Sequence, residues 1–251
     1  MFVGFSSHLS VTVAHLPLLA VLLQHPDSLP PKPPAPPTAW LALIGAYAAA
    51  CDTVYVYEDR GTLALHVKPP GPARLDSTIH LDIRYATTNN FLGSVFYSSA
   101  HAFLQRPAAE ALVRAARVLR PLGYGLLIHD AYRPWYITKV FWDATPPGSR
   151  WLVADPARGS KHNRGAAVDI TLYDLATGKP VEMPSTYDEA TPRAMADFPG
   201  GTSRQRWHRA LLRRVLEAEG FTVNPSEWWH FDYRDWQRYP ILNRTFEELL
   251  R

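Results

Sequence analysis

Ser160-Lys161-His162-Asn163-Arg164-Gly165-Ala166-Ala167-Val168-Asp169 is read together with a distant partner, Glu227-Trp228-Trp229-His230. A histidine and an aspartate flank a glycine turn, and a second histidine follows far downstream. These three side chains offer deprotonated ligands to a divalent cation. A fourth tetrahedral position is left for water, as in catalytic rather than structural zinc sites. Glu227 is then placed to take and deliver protons beside that water. The order is not the helical H-E-x-x-H signature, which sets two histidines one helical turn apart.

The local pattern supports this grouping. Residues 166–172 read as a strand, on which alternation puts Ala167, Asp169 and Thr171 on one face. The alanines leave room beside Asp169, and Gly165 permits the turn that brings His162 back towards it. Pro225-Ser226 predicts that Glu227 is still in a turn, with regular extension from Trp228 onward. His230 then shares a face with Trp228 and Asp232, while Trp229, Phe231 and Tyr233 pack away. Either histidine alone reads as an ordinary loop or core histidine; two matched clusters favour a metal. Arg133 lies between an apolar strand and Pro134, so a rigid turn fixes its position. A guanidinium there can hold a substrate carboxylate or stabilise an oxyanion, and it can equally pair with Asp130.

Working outward, Ile79 to Tyr85 alternates as a strand. Residues 108–122 read as a helix with Leu112, Ala116 and Leu119 inward and Arg114 and Arg117 outward, stopped by Pro121 and Gly123. A buried strand is predicted over 124–130, and a helix over 134–143 with Pro134 at its first position. Long loops follow at 144–164 and 177–201. Residues 206–219 form an amphipathic helix with Leu211, Leu212, Val215 and Leu216 inward, capped by Gly220. Strands at 221–223 and 228–233 and a short helix at 245–250 complete an α+β domain.

The first 74 residues differ in character. Residues 11–23 are largely apolar, but His15 and Pro17 interrupt them and no basic residue precedes them. They are too short for a membrane span and lack the basic region of a signal peptide, which leaves two readings, a degenerate export signal and a disordered or mis-started N-terminus. Seven prolines in residues 26–37 exclude a helix or central strand and read as a semi-rigid tether. Residues 54–57 and 63–67 read as a hairpin around Glu58-Asp59-Arg60-Gly61. The expected organisation is an apolar N-terminus and linker over 1–37, a small β appendage over 38–74, and the main domain over 75–251.

The 251 residues are 47% apolar or aromatic, enough for one substantial core. Net charge is +3, yet the arginines are scattered among acids rather than striped with aromatics, which argues against a nucleic-acid partner. Cys51 is the sole cysteine, so a metal must be held by histidines and carboxylates. The lack of disulfides fits the cytoplasm and is compatible with a bacterial periplasm. Oligomeric state is not legible.

Ser160-x-His162-x-x-Gly165-x-Ala167-x-Asp169 and Glu227-x-x-His230 resemble the signatures of the zinc D-alanyl-D-alanine dipeptidases, the VanX-type family. Tyr85-Ala86-Thr87-x-Asn89-Asn90-Phe91, Tyr132-Arg133-Pro134 and Thr171-Leu172-Tyr173 are similar to further blocks of that family. The likeness runs from about Leu75 to Tyr239. It implies the α+β fold shared with DD-carboxypeptidases and hedgehog domains. It also implies one zinc ion on His162, Asp169 and His230, Glu227 as catalytic base and acid, and Arg133 as transition-state stabiliser. Ser160 and Asp188 match positions near the substrate's free amine, and Tyr85 matches a substrate-contacting tyrosine. Residues 189–201 depart from the family pattern. The activity implied is hydrolysis of D-Ala-D-Ala to two D-alanines. The alternatives are a DD- or LD-carboxypeptidase or endopeptidase on peptidoglycan stems, and a non-catalytic, zinc-stabilised wall-peptide binder.

Overall fold

The computed structural model describes residues 62–65 and 78–250. The apolar N-terminus, the proline tether, the first strand of the expected hairpin and its turn lie outside the described residues.

The frame is a five-stranded sheet. In chain order its strands are β2 (Ile79–Leu81), β4 (Tyr124–Asp130), β5 (Ala167–Asp174), β6 (Phe221–Asn224) and β7 (Glu227–Tyr233). Their spatial order is β2-β4-β5-β7-β6. Every pairing is antiparallel except β2 with β4, which is parallel. A parallel pair needs a long return connection. Here it contains β3 (Ala102–Gln105) and helix α1 (Arg106–Leu119). The remaining helices are α2 (Trp135–Ala144), α3 (Ser203–Ala218) and the short α4 (Phe246–Leu249).

The central strand β5 sorts its side chains by alternation. Val168, Ile170 and Leu172 join the apolar cluster that includes Leu112, Leu119, Leu211 and Leu212. Helix α1 approaches through an alanine-rich face, with Ala108, Ala111, Ala115 and Ala116 fully buried. Small side chains at this spacing let a helix lie close to its neighbours. The inward stripes expected on α1 and α3 are buried, and Arg114 and Arg117 are exposed.

Several boundaries differ from expectation, each for a local reason. Helix α3 starts at Ser203 because Thr202 accepts from the Gln205 amide while Gln205 reaches back to the Thr202 amide. This reciprocal capping box is a signal the sequence carried. Pro134 caps α2 with an extended ψ of 142° rather than opening its first turn. Strand β2 stops at Leu81, because the Tyr85 carbonyl accepts the amides of Phe96 (2.8 Å) and Tyr97 (2.9 Å) and pulls the chain into a 3-10 turn at Arg84–Ala86. Strand β3 went unanticipated. It pairs antiparallel with β1 (Thr62–Leu65), so that segment of the expected hairpin is extended and meets Ala102–Gln105. No helix among the described residues is long and apolar enough to cross a membrane.

Candidate active site

His162 begins a 3-10 turn, His162–Arg164, that ends at Gly165 with φ of 62°. A left-handed residue costs glycine little, and here it lets the chain reverse into β5. Two supports hold this turn. The Gln105 amide donates to the Gly165 carbonyl (2.8 Å) and the Gln105 side-chain amide to the Arg164 carbonyl (3.0 Å), so β3 backs the reversal. Asn163 donates to the Arg133 carbonyl and to Thr138 Oγ1, both at 2.8 Å, and the Arg133 amide donates to the His162 carbonyl. The His162 turn and the Arg133 turn are thereby fastened together. Asn163 was not singled out in the sequence, because a buried amide bridging two loops has no spacing signature.

His230 reaches the same place by strand pairing, since Asp169 and His230 are directly opposed on β5 and β7. Glu227 is the first residue of β7, directly after the turn at Pro225-Ser226, where the sequence reading kept it in the turn itself. Its placement near His230 follows from a break in the β6–β7 register: Val223 faces Phe231, whereas the next residue, Asn224, faces Glu227. The extra residues on β7 cancel the strict alternation that would send residues three apart to opposite faces. The same irregularity limits the expected sorting of the tryptophans, for Trp229 stacks edge-on against Tyr187 (5.6 Å between centroids) beside the site. Asp232 stays on the His230 side, as expected.

Three atoms converge. His162 Nε2 lies 3.1 Å from His230 Nδ1 and 3.3 Å from Asp169 Oδ1, and His230 Nδ1 lies 3.0 Å from that same oxygen. Ligands bound tetrahedrally at 2.0–2.1 Å stand roughly 3.3 Å apart, so the triangle fits such an ion. The outer nitrogens orient the two rings. His162 Nδ1 is 2.6 Å from the Ala131 carbonyl, an acceptor only, and therefore donates its hydrogen there. His230 stands between two carboxylates, with Nε2 3.0 Å from Asp232 Oδ1 and Nδ1 3.0 Å from Asp169 Oδ1, so its Nδ1 is free to bind a cation when its hydrogen sits on Nε2 and is donated to Asp232. With both hydrogens on the outer nitrogens, the inner nitrogens present lone pairs that face each other and a carboxylate. Three acceptors cannot satisfy one another; a cation or a proton must sit among them. Burial lowers the proton affinity of His230, but the Asp169 and Asp232 carboxylates outweigh burial and push the group up to about 10. For Asp169 burial acts upward, yet the two histidines hold its carboxyl well below the usual range.

Around this triangle lie the other expected residues. Glu227 Oε2 is 3.7 Å from His230 Nδ1 and accepts from Asn224 Nδ2 at 3.0 Å. Its side chain is 32% exposed; desolvation, with the Asp169 charge adding and His230 opposing, raises its carboxyl above the usual value. The Arg133 guanidinium meets Asp130, through Nε at 3.1 Å and Nη2 at 2.7 Å. It also stands over the rings of Phe141 (4.9 Å) and Tyr85 (5.1 Å). The ion-pair reading of Arg133 is thus realised, while two Nε/Nη2 contacts use only part of a five-hydrogen fork. Burial opposes the charge, but Asp130 secures the cation.

The Tyr85 hydroxyl donates to Asp188, 3.2 Å from Oδ2. Asp188 is half-buried, and its carboxyl is raised well above the usual range by desolvation, then by Asp169 and Glu227. It adopts a positive φ of 58°. Ser160 is turned into its own loop: its Oγ accepts from the His162 amide at 3.2 Å, and its amide donates to Asn163 Oδ1. Two further groups had no assigned role in the sequence. Asp232 bonds His230 and is itself paired with Lys161 at 2.7 Å. The Tyr187 hydroxyl donates to Asp169 Oδ2 at 2.9 Å. Asp232 was findable, since it stands two residues from His230 on one strand face; Tyr187 was not.

Residues 73–250 match the Peptidase M15 family model, described as D-ala-D-ala dipeptidase. The D-alanyl-D-alanine dipeptidase of Escherichia coli is 33% identical over 67% of this chain and 86% of its own length. That of Enterococcus faecium is 33% identical over 66% of this chain and 92% of its own. Among solved structures, the LdcB LD-carboxypeptidase aligns at 20% identity with a TM-score of 0.37, over 58% of this chain and 69% of that one. The family match spans every residue of the triangle and its surroundings, and on it the chain belongs to the M15 peptidases, the D-Ala-D-Ala dipeptidase family.

Proposed function

We propose that this peptidase is a zinc-dependent hydrolase of the D-Ala-D-Ala dipeptide, with one zinc held by His162 Nε2, His230 Nδ1 and Asp169 Oδ1. The observation that carries the reading is the convergence of those three acceptor atoms, 3.0–3.3 Å apart, with the Glu227 carboxylate 3.7 Å from one of them. When bound, zinc supplies Lewis acidity and a water that ionises near neutral pH.

The chain's own residues then divide the work. Glu227 Oε2 takes the proton from the attacking water and returns it to the leaving amine. Its raised proton affinity suits both halves, because a carboxyl that holds a proton more readily also serves as the later acid. Arg133, kept charged by Asp130 and oriented by the Tyr85 and Phe141 rings, faces negative charge developing on the tetrahedral carbon's oxygen. Asp188, positioned by the Tyr85 hydroxyl, pairs with the substrate ammonium. Ser160 supports this end chiefly through the turn it stabilises. A carboxylate waiting for an ammonium limits substrates to free dipeptides, because a longer peptide carries an uncharged amide there.

The test is a side-by-side assay of the zinc-loaded protein on D-Ala-D-Ala, N-acetyl-D-Ala-D-Ala and a D-Ala-D-Ala-terminated pentapeptide. Acetylation removes the charge that compensates Asp188, so the free dipeptide should be preferred by at least two orders of magnitude, about 3 kcal/mol. Equal rates on the blocked substrate would replace the dipeptidase reading with a carboxypeptidase. Tight binding with no turnover of any substrate would leave a wall-peptide binder.

A further inference from the structure

We propose that Tyr187 is a positioning residue for the metal carboxylate, its hydroxyl holding Asp169 Oδ2 so that Oδ1 alone stays aimed between the two histidines. The proposal deepens the metal-site reading above and rests on it. A carboxylate can turn about its Cβ–Cγ bond and offer an ion either oxygen or both. Here the two oxygens have different partners: Oδ1 lies within 3.3 Å of both inner nitrogens, and Oδ2 receives Tyr187 at 2.9 Å. Tyr187 has one hydroxyl hydrogen, and the carboxylate is a nearer and more negative acceptor than the Tyr85 oxygen at 3.3 Å.

The ring is held on several sides, so the hydroxyl has little freedom to leave. Its centroid lies 4.8 Å from His129, 5.6 Å from Trp229 and 6.4 Å from Tyr85, and the Arg84 guanidinium stands 5.8 Å above it. The backbone explains how consecutive residues serve one site. In extended chain, Tyr187 and Asp188 would point to opposite sides. The positive φ of Asp188, a conformation aspartate tolerates better than most, folds the segment so that Tyr187 reaches Asp169 while Asp188 reaches Tyr85. Two tyrosine hydroxyls therefore separate the duties of two neighbouring acids. Tyr187 serves the metal end and Tyr85 the amine end.

The experiment is zinc affinity measured by competition with a chromogenic chelator, on Tyr187→Phe beside the wild type. Phenylalanine keeps the packed ring and removes only the hydroxyl. The zinc Kd should rise about tenfold, the lower range for loss of a group that orients a metal ligand, while the metal-free variant stays folded and melts cooperatively. A Kd within about twofold of wild type in a folded variant would overturn the assignment. Tyr173→Phe removes a hydroxyl that meets His80 at 3.1 Å instead, and should leave the Kd unchanged; an equal rise there would show a generic effect and overturn it too. Tyr85→Phe decides the matter should Tyr187→Phe not fold. It should raise KM for D-Ala-D-Ala and leave zinc affinity intact, and a rise in zinc Kd like that expected for Tyr187 would refute the division of roles. A wild type that takes up no zinc defeats the metal-site reading itself, a result separable from all of these.

Discussion

Strand β5 has two faces that are built differently. On one, Val168, Ile170 and Leu172 are fully buried with α1 and α3 in a cluster of alanine and leucine. On the other, Asp169 stands among His162, His230 and Tyr187; beside desolvation, its charge raises the proton affinity of Asp188 and Glu227, and Glu227 adds to that of Asp188. The apolar face gains free energy from burial alone and needs nothing bound. The polar face crowds carboxylates where solvent is scarce, an arrangement that costs free energy unless counter-charges offset it. Stability and chemistry are thus carried by alternate residues of a single strand.

Changes on the two faces should therefore fail in different ways. The largest expected effect is from Glu227→Ala: kcat on D-Ala-D-Ala should fall by roughly 10²–10⁴-fold, with zinc content and melting temperature retained. A loss below tenfold would move the proton carrier elsewhere. Leu212→Ala, on a fully buried residue of α3, should do the reverse. It should cost about 2–5 kcal/mol of unfolding free energy, read from denaturant titration, while the folded fraction keeps its zinc stoichiometry and kcat. A selective loss of kcat in folded Leu212→Ala would mean that the two faces are not separable.

The smallest effect is the most diagnostic. The folded protein raises the Asp188 carboxyl, so it holds that proton more tightly than the unfolded chain does. The contribution to stability is complete below the ordinary aspartate value and is lost as pH rises through the raised one. Asparagine does not titrate. In the metal-free protein, Asp188→Asn should match the wild type in acid and melt higher by on the order of a few degrees at pH 7. D-Ala-D-Ala hydrolysis by the zinc-loaded variant should weaken at the same time. Parallel melting curves across pH would mean that Asp188 is not the uncompensated charge.

Much of this was legible in the chain. Apolar periodicity marked the inward faces of α1 and α3, and alternation the Asp169 face of β5, because burial selects side chains one position at a time. The grouping of His162, Asp169, Glu227 and His230 was legible, because ligand chemistry restricts residue types and Gly165 marks the reversal between two of them. What local pattern could not supply were relations between distant segments. The parallel β2–β4 pair, the β1–β3 pair, the register break that places Glu227 near His230, the Asn163 bridge and the Tyr187 hydroxyl on Asp169 all belong to this class. Each is a hydrogen-bond partnership made across the fold, and such partnerships leave no periodic trace in either segment. Residue identity determined which groups could bind a cation or carry a proton; tertiary structure decided which of them meet, because only packing fixes which donors and acceptors are left to find one another away from water.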